Sequence, residues 1–139
     1  MTGEYSYTLD AKGRVAVPAR LRGELGNLVY LCRGIDHTLF LYPLKVWEEM
    51  SERLSAKSLR EGRHLQRSIF STAERFDLDA QGRILIPQKL RDYADLQKNV
   101  VIVGAGSRAE IWSEQAWRDY EQNELTEEHL LEAMDELGF

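Results

Sequence analysis

The sequence predicts a β-rich α+β fold, a single intertwined barrel of pseudo-twofold symmetry with helices at its periphery. Three observations predict it. Leu9-Asp10-Ala11-Lys12-Gly13-Arg14-Val15-Ala16-Val17-Pro18-Ala19-Arg20-Leu21-Arg22 returns 69 residues later as Leu78-Asp79-Ala80-Gln81-Gly82-Arg83-Ile84-Leu85-Ile86-Pro87-Gln88-Lys89-Leu90-Arg91, with 8 of the 14 positions identical. A repeat this close means one structural unit used twice. Short runs rich in Tyr, Val and Ile flank both copies, as strands with a buried face require. Neither half holds enough strand to bury a core alone, so each is expected to lend its hairpin and helix to the other.

Along the first half, Tyr5, Tyr7 and Leu9 alternate with Glu4, Ser6 and Thr8, the pattern of a half-buried strand. Asp10-Ala11-Lys12-Gly13 reads as a tight turn, with Asp accepting backbone N–H bonds and Gly tolerating positive φ. Arg14 to Val17 resumes as a strand, giving a hairpin, and Pro18 stops it at a first helical position. A short helix then carries Leu21 and Leu25 and ends at Gly26. Strands 28–33 and 38–42 flank a turn at 34–37, and a helix covers 43–54.

The second half repeats this with strands 74–78 and 83–86 around turn 79–82, a helix from Pro87 with Leu90 and Tyr93 inward, and strands 99–103 and 109–112. Val29 to Gly34 aligns with Asn99 to Gly104, and Tyr42 and Trp47 align with Trp112 and Trp117. Ser113 is placed to cap a helix that Trp112 and Trp117 clasp. The expected organisation is one domain, 1–139, made of a first repeat 1–54, a helical connector 55–73, a second repeat 74–120 and an acidic C-terminal helix 121–139. The connector has a basic face (Arg53, Lys57, Arg60, Arg63, Arg67) and a capping box at Ser58-Leu59-Arg60-Glu61. In the last helix Thr126 is the cap, and Leu130, Met134 and Leu137 form an apolar stripe that fits packing on its own domain and an oligomer contact equally well.

A net charge of −5 conceals an asymmetry. From Glu110 onward there are ten acidic residues against Arg118 alone, which leaves residues 1–109 with an excess of four positive charges. A basic body directs attention to an anionic partner, although an acidic helical tail also serves solubility. No long apolar run predicts a membrane span, and no basic start followed by an apolar stretch predicts a secretory signal. The single cysteine, Cys32, lies in the apolar run Leu28 to Cys32 and is expected to be buried and inert, in keeping with a reducing cytoplasmic setting.

Gly3-Glu4-Tyr5, Thr8 to Pro18 and Asp79 to Pro87 carry a resemblance over nearly the whole chain. The sequence resembles the MraZ family of bacterial regulators of the cell-division and cell-wall gene cluster, and each half resembles an AbrB-type swapped-hairpin DNA-binding unit. The resemblance implies a double-psi β-barrel built from both halves. It also implies a ring-like homo-oligomer, double-stranded DNA as partner, direct repeats in the promoter of its own operon as the target, and association with the nucleoid. The copies differ in Gln81 for Lys12 and Gln88 for Ala19, so the first is expected to contribute more to DNA.

Chemically, the unit is Asp-x-x-Gly-Arg. Arg is the side chain best suited to guanine O6 and N7 or to phosphate, and an Asp–Arg pair would hold its guanidinium in one direction. The candidate DNA-binding residues are Lys12, Arg14, Arg20, Arg22, Arg83, Lys89 and Arg91, with Asp10, Gly13, Asp79 and Gly82 as structural partners of the motif. Arg14 and Arg83 also fit salt bridges that merely stabilise the barrel, and Arg20, Arg22, Lys89 and Arg91 also fit solvated helix faces.

Two other classes compete. An aspartic-type hydrolase would use Asp10 and Asp79 as a dyad sharing a proton, but an Arg four residues after each Asp opposes that. His37, His64 and His129 show no metal spacing and no nucleophile partner, so neither a metal nor a cofactor is expected and the chain is not read as an enzyme. The remaining alternative is an AbrB-like protein-interaction module whose acidic tail holds a partner.

Overall fold

The computed structural model describes residues 1–139, and the repeat governs its topology. The first half contains β1 (Glu4–Thr8), β2 (Arg14–Ala16), α1 (Ala19–Leu25), β3 (Leu28–Arg33), β4 (Leu39–Pro43), α2 (Leu44–Ser55) and α3 (Leu59–Thr72). The second contains β5 (Glu74–Asp77), β6 (Arg83–Leu85), α4 (Gln88–Tyr93), β7 (Asn99–Gly104), β8 (Ala109–Ser113), α5 (Glu114–Asn123) and α6 (Glu127–Leu137). The class is α+β and sheet-rich, as predicted.

The strands beside each turn do not pair with each other, which corrects the expected hairpins. β1 pairs antiparallel with β7, placing Tyr7 opposite Val100, while β5 pairs with β3, placing Phe76 opposite Val29. β2 pairs with its own copy β6, with Val15 opposite Ile84. The reason is burial. Exchange sets Val15, Val17, Ile84 and Ile86, none more than 2% exposed, into one shared core. Two separate hairpins of three-residue strands would leave those side chains in water.

The main sheet has the order β1-β7-β8-β4-β3-β5. Replacing each strand by its repeat counterpart reverses this order onto itself, so a pseudo-twofold axis runs between β4 and β8 and through the β2–β6 ribbon. Around that axis Phe40 lies opposite Glu110, flanked by Leu39 with Ile111 and Leu41 with Ala109. The sheet is open, with β1 and β5 at its edges, and the ribbon is a separate two-stranded sheet; no closed barrel is present. Pairing along the ribbon ends at Pro18 and Pro87, which lack the N–H a ladder needs. Beyond β2 and β6, Val17 N–H and Ile86 N–H donate to the Gly82 and Gly13 carbonyls of the opposite repeat's turn, each at 2.9 Å.

The aligned register of the third strand also shifts by one. Val29 corresponds to Val100, not to Asn99, because both are fully buried and both face the exchanged strand of the other half. The connecting turn compensates, being one residue longer before β4 than before β8.

Capping follows the sequence closely. Ser58, Ser113 and Thr126 side chains accept from Glu61 N–H at 3.2 Å, Ala116 N–H at 3.0 Å and His129 N–H at 3.2 Å. Trp112 and Trp117 meet edge to face at 5.1 Å. Cys32 is fully buried, and burial pushes its thiol up to about 12. The single connector predicted between the halves is the end of α2 plus a distinct helix, α3, which lies against β3 and α2 and buries Ile69 and Thr72. Its counterpart by position, α6, buries nothing. The Leu130-Met134-Leu137 stripe is left 47%, 49% and 72% exposed, so its own domain covers it only in part. No helix is long and apolar enough to cross a membrane.

Candidate nucleic-acid interface

Strand exchange brings the two Asp-x-x-Gly-Arg turns to one end of the molecule. Each turn is built alike. Asp10 Oδ1 accepts the N–H groups of Lys12 at 2.9 Å and Arg14 at 2.8 Å. Asp79 Oδ1 accepts those of Gln81 at 2.9 Å and Arg83 at 2.8 Å. The other oxygen takes the arginine, with Arg14 Nε donating to Asp10 Oδ2 at 2.7 Å and Arg83 Nε to Asp79 Oδ2 at 2.9 Å. The aspartates are therefore turn anchors first and arginine partners second.

The electrostatics agree. The Arg14 backbone N–H is the main cause that holds the Asp10 carboxyl down at about 2; partial burial opposes it, and the Arg14 guanidinium and the Lys12 N–H reinforce it. The Asp79 carboxyl is lowered in the same way, chiefly by the Arg83 N–H. A proton-sharing dyad requires one carboxyl to be raised, so these two aspartates lack the electrostatics of an acid protease.

The turns interlock across the pseudo-twofold. Arg83 Nη1 lies 3.8 Å from Asp10 Oδ2, a link between repeats. Gly13 and Gly82 have φ of +87° and +72°, and a Cβ on either would fall 2.6 Å from Arg91 Cζ or 2.3 Å from Arg22 Cζ. Arg22 and Arg91 are thus packed against the turn of the opposite repeat. Arg22 Nε also donates to the Val17 carbonyl at 2.9 Å and its Nη2 to the Gln81 carbonyl at 3.3 Å. Arg91 Nε is buried and has no hydrogen-bond partner in the chain.

The copies differ in what they leave free. Arg14 is one-third exposed, and no hydrogen bond within the chain uses its two terminal nitrogens. Arg83 spends Nη2 on Gln81 Oε1 at 2.9 Å. Lys12 is exposed at the first turn tip, where the second has Gln81. Arg20 and Lys89 are exposed in the first turns of α1 and α4. The seven candidates therefore come from the first turn tip (Lys12), the first residues of β2 and β6 (Arg14, Arg83) and the helices α1 and α4 (Arg20, Arg22, Lys89, Arg91).

One exposed position was missed. Leu85 is 49% exposed and sits opposite Arg14 in the ribbon, on the same face as Arg83. The alternation Arg83-Ile84-Leu85-Ile86 carried the signal, since Ile84 and Ile86 point into the core and Leu85 must point out. The outward ribbon face is thus Arg14, Ala16, Arg83 and Leu85. No group of three or more His, Cys, Asp or Glu side chains is placed to hold a metal ion.

Fold and site together define a class: an internally duplicated, strand-exchanged protein that presents paired arginine-bearing turns on a short β-ribbon. Comparison with known proteins makes this particular. The family described as "MraZ protein, putative antitoxin-like" matches twice, over residues 1–66 and 69–137, one match per half. Similar proteins named "Transcriptional regulator MraZ" come from Carboxydothermus hydrogenoformans (48% identical, covering 85% of this chain and 84% of the relative). Those from Thermoanaerobacter pseudethanolicus and Caldicellulosiruptor saccharolyticus are 40% and 44% identical and cover 99% of both chains. The chain belongs to the MraZ family. The relatives are named as regulators, not as enzymes.

Proposed function

We propose that this protein is a transcriptional regulator that reads double-stranded DNA with the β2–β6 ribbon and its two turns. The observation that carries the reading is that two turns far apart in sequence converge on one face, with Arg83 Nη1 3.8 Å from Asp10 and the terminal nitrogens of Arg14 unspent. A two-stranded ribbon fits a major groove about 12 Å wide, and an arginine anchored through Nε keeps its fork for guanine O6 and N7. Lys12, Arg20 and Lys89 are placed for phosphate, where a point charge suffices. Leu85 and Ala16 offer apolar contact to a thymine methyl group. Arg22 and Arg91 act mainly by holding the turns.

The target, on this reading, is a set of short direct repeats upstream of the cell-division and cell-wall gene cluster, bound in the nucleoid by a ring-like homo-oligomer. Several weak ribbons on one assembly would make affinity rise steeply with repeat number through effective concentration. On this reading the open sheet and the ribbon correspond to the two parts of a double-psi arrangement, a correspondence supported by the hydrogen bond each turn accepts from the other repeat.

A gel-shift titration against the DNA upstream of the encoding gene, with repeat number and salt varied, tests the reading. Affinity is expected to fall steeply with salt, since each phosphate contact releases counterions, and to grow with the number of repeats. Equal affinity for unrelated duplexes would reduce it to non-specific binding. No binding would favour a protein-interaction module, for which the exposed acidic α6 is the available surface.

A further inference from the structure

We propose that α6 of one protomer docks in the groove between α2 and α3 of a second copy of this chain. The inference deepens the self-association reading above and rests on it. α6 exposes Leu130 (47%), Met134 (49%) and Leu137 (72%) at i, i+4 and i+7, an apolar stripe with no buried residue. Glu127, Glu128, Glu132, Asp135 and Glu136 share that helix, which has no Lys or Arg. An amphipathic helix with an empty apolar face and one sign of charge calls for a groove that is apolar at its floor and basic at its rim.

The cleft between α2 and α3 is such a groove. Met50, Leu54, Leu65 and Gly62 line a cleft of about 450 Å³ between α2 and α3, with Arg53 and Lys57 on its rim against a single carboxylate, Glu61, which is engaged by the Ser58 hydroxyl at 3.2 Å. Gly62 lets the turn that joins the two helices pass close to α3, as a Cβ there would lie 2.8 Å from Lys57 Cβ. Gln66 fixes the walls by donating to the Leu54 carbonyl at 2.9 Å and the Lys57 carbonyl at 3.0 Å.

Symmetry explains why only one helix is free. α3 and α6 follow α2 and α5 at equivalent places in the two repeats. α3 has docked on α2, with Trp47 against Phe70 at 6.1 Å, and on β3, with the Thr72 hydroxyl accepting from Arg33 N–H at 3.0 Å. α6 stays tethered to its own half, its cap held by Thr126 and its His129 ring bonded to the Glu124 carbonyl at 3.0 Å. Its own groove lies on the half of the sheet formed by β3 and β4, whereas α5, from which α6 follows, packs on the half formed by β7 and β8. A helix on one side and a groove on the other make a head-to-tail contact that propagates from copy to copy. The apolar stripe would supply affinity, and the opposed charges would set orientation and salt sensitivity.

Sedimentation of the full chain tests this through two variants. In Met134→Asp/Leu137→Asp the helix is spoiled, and in Arg53→Glu/Lys57→Glu the groove rim is reversed. All four side chains are exposed, so circular dichroism and Tm should match the wild type. Each variant alone should sediment as a single chain of 16.1 kDa. Mixed one to one, they should form a heterodimer and stop there, because only one intact helix and one intact groove remain. Combining Glu128→Lys/Asp135→Lys with Arg53→Glu/Lys57→Glu in one chain should restore assembly, an outcome a merely structural role cannot produce. A wild type that is monomeric overturns both the self-association reading and this one. A wild type that assembles while the variants also assemble overturns this contact alone, as does a mixture that stays monomeric.

Discussion

Arg14 and Arg83 occupy equivalent places, yet only Arg14 keeps its terminal nitrogens unspent. Arg14→Ala is therefore expected to remove most of the specific DNA affinity, at least tenfold, with Arg83→Ala costing less; competition gel shifts at fixed salt measure the order. A bidentate arginine–base contact is worth about 1–3 kcal/mol of discrimination, which sets the scale. Unfolding of Arg14→Ala would mean instead that the pair exists for the fold. The aspartates give a pH prediction with a defined sign. The folded carboxyl of Asp10 is depressed to about 2 from 3.8, so its stabilising contribution is complete above the ordinary value and is lost as pH falls through about 2. Asp10→Asn should flatten that acid limb of the Tm profile, and an unchanged limb would show that the turn does not depend on the charge.

The turns and ribbon decide whether the two repeats interlock. Gly82→Ala must place a Cβ 2.3 Å from Arg22 Cζ at a φ of +72°. A non-glycine residue in this region costs about 1–3 kcal/mol, and displacing Arg22 from the Gln81 carbonyl adds to it. Ile84→Ala should cost about 2–5 kcal/mol, because Ile84 is 2% exposed opposite Val15 at the centre of the ribbon. Urea unfolding monitored by tryptophan fluorescence measures both. A near-neutral Ile84→Ala would mean that the ribbon is not part of the folding core. At this scale the sequence was legible in its local chemistry. The turn at Asp10, the caps at Ser58, Ser113 and Thr126, and the stops at Gly26 and Pro18 are short-range hydrogen-bond and φ preferences that a few residues specify. Strand partners were not legible, since β2 alternates identically whether it pairs with β1 or with β6.

For the whole molecule, every pairing except β3–β4 and β7–β8 crosses between halves. A chain of residues 1–66, the span of the first family match, lacks β7 for β1, β5 for β3 and β6 for β2. Expressed alone it should be unfolded or should dimerise to supply those partners itself, and mixing it with residues 67–139 should restore the native circular dichroism. A stable, monomeric first half would contradict the exchange.

What the sequence determined by itself is the unit and its multiplicity. The recurrence of Asp-x-x-Gly-Arg-strand-Pro, the inward alternation of Val15 with Val17 and of Ile84 with Ile86, and the acidic bias after Glu110 are all properties of neighbouring residues, so they can be read in one dimension. Only the tertiary structure decided which strand meets which, that Arg22 and Arg91 support the opposite turn, that Leu85 faces out beside Arg14, and that α3 is docked while α6 is not. These outcomes depend on which of two nearly equivalent copies shields a surface, and near-identical local patterns leave that choice to the total area buried when the halves close on each other.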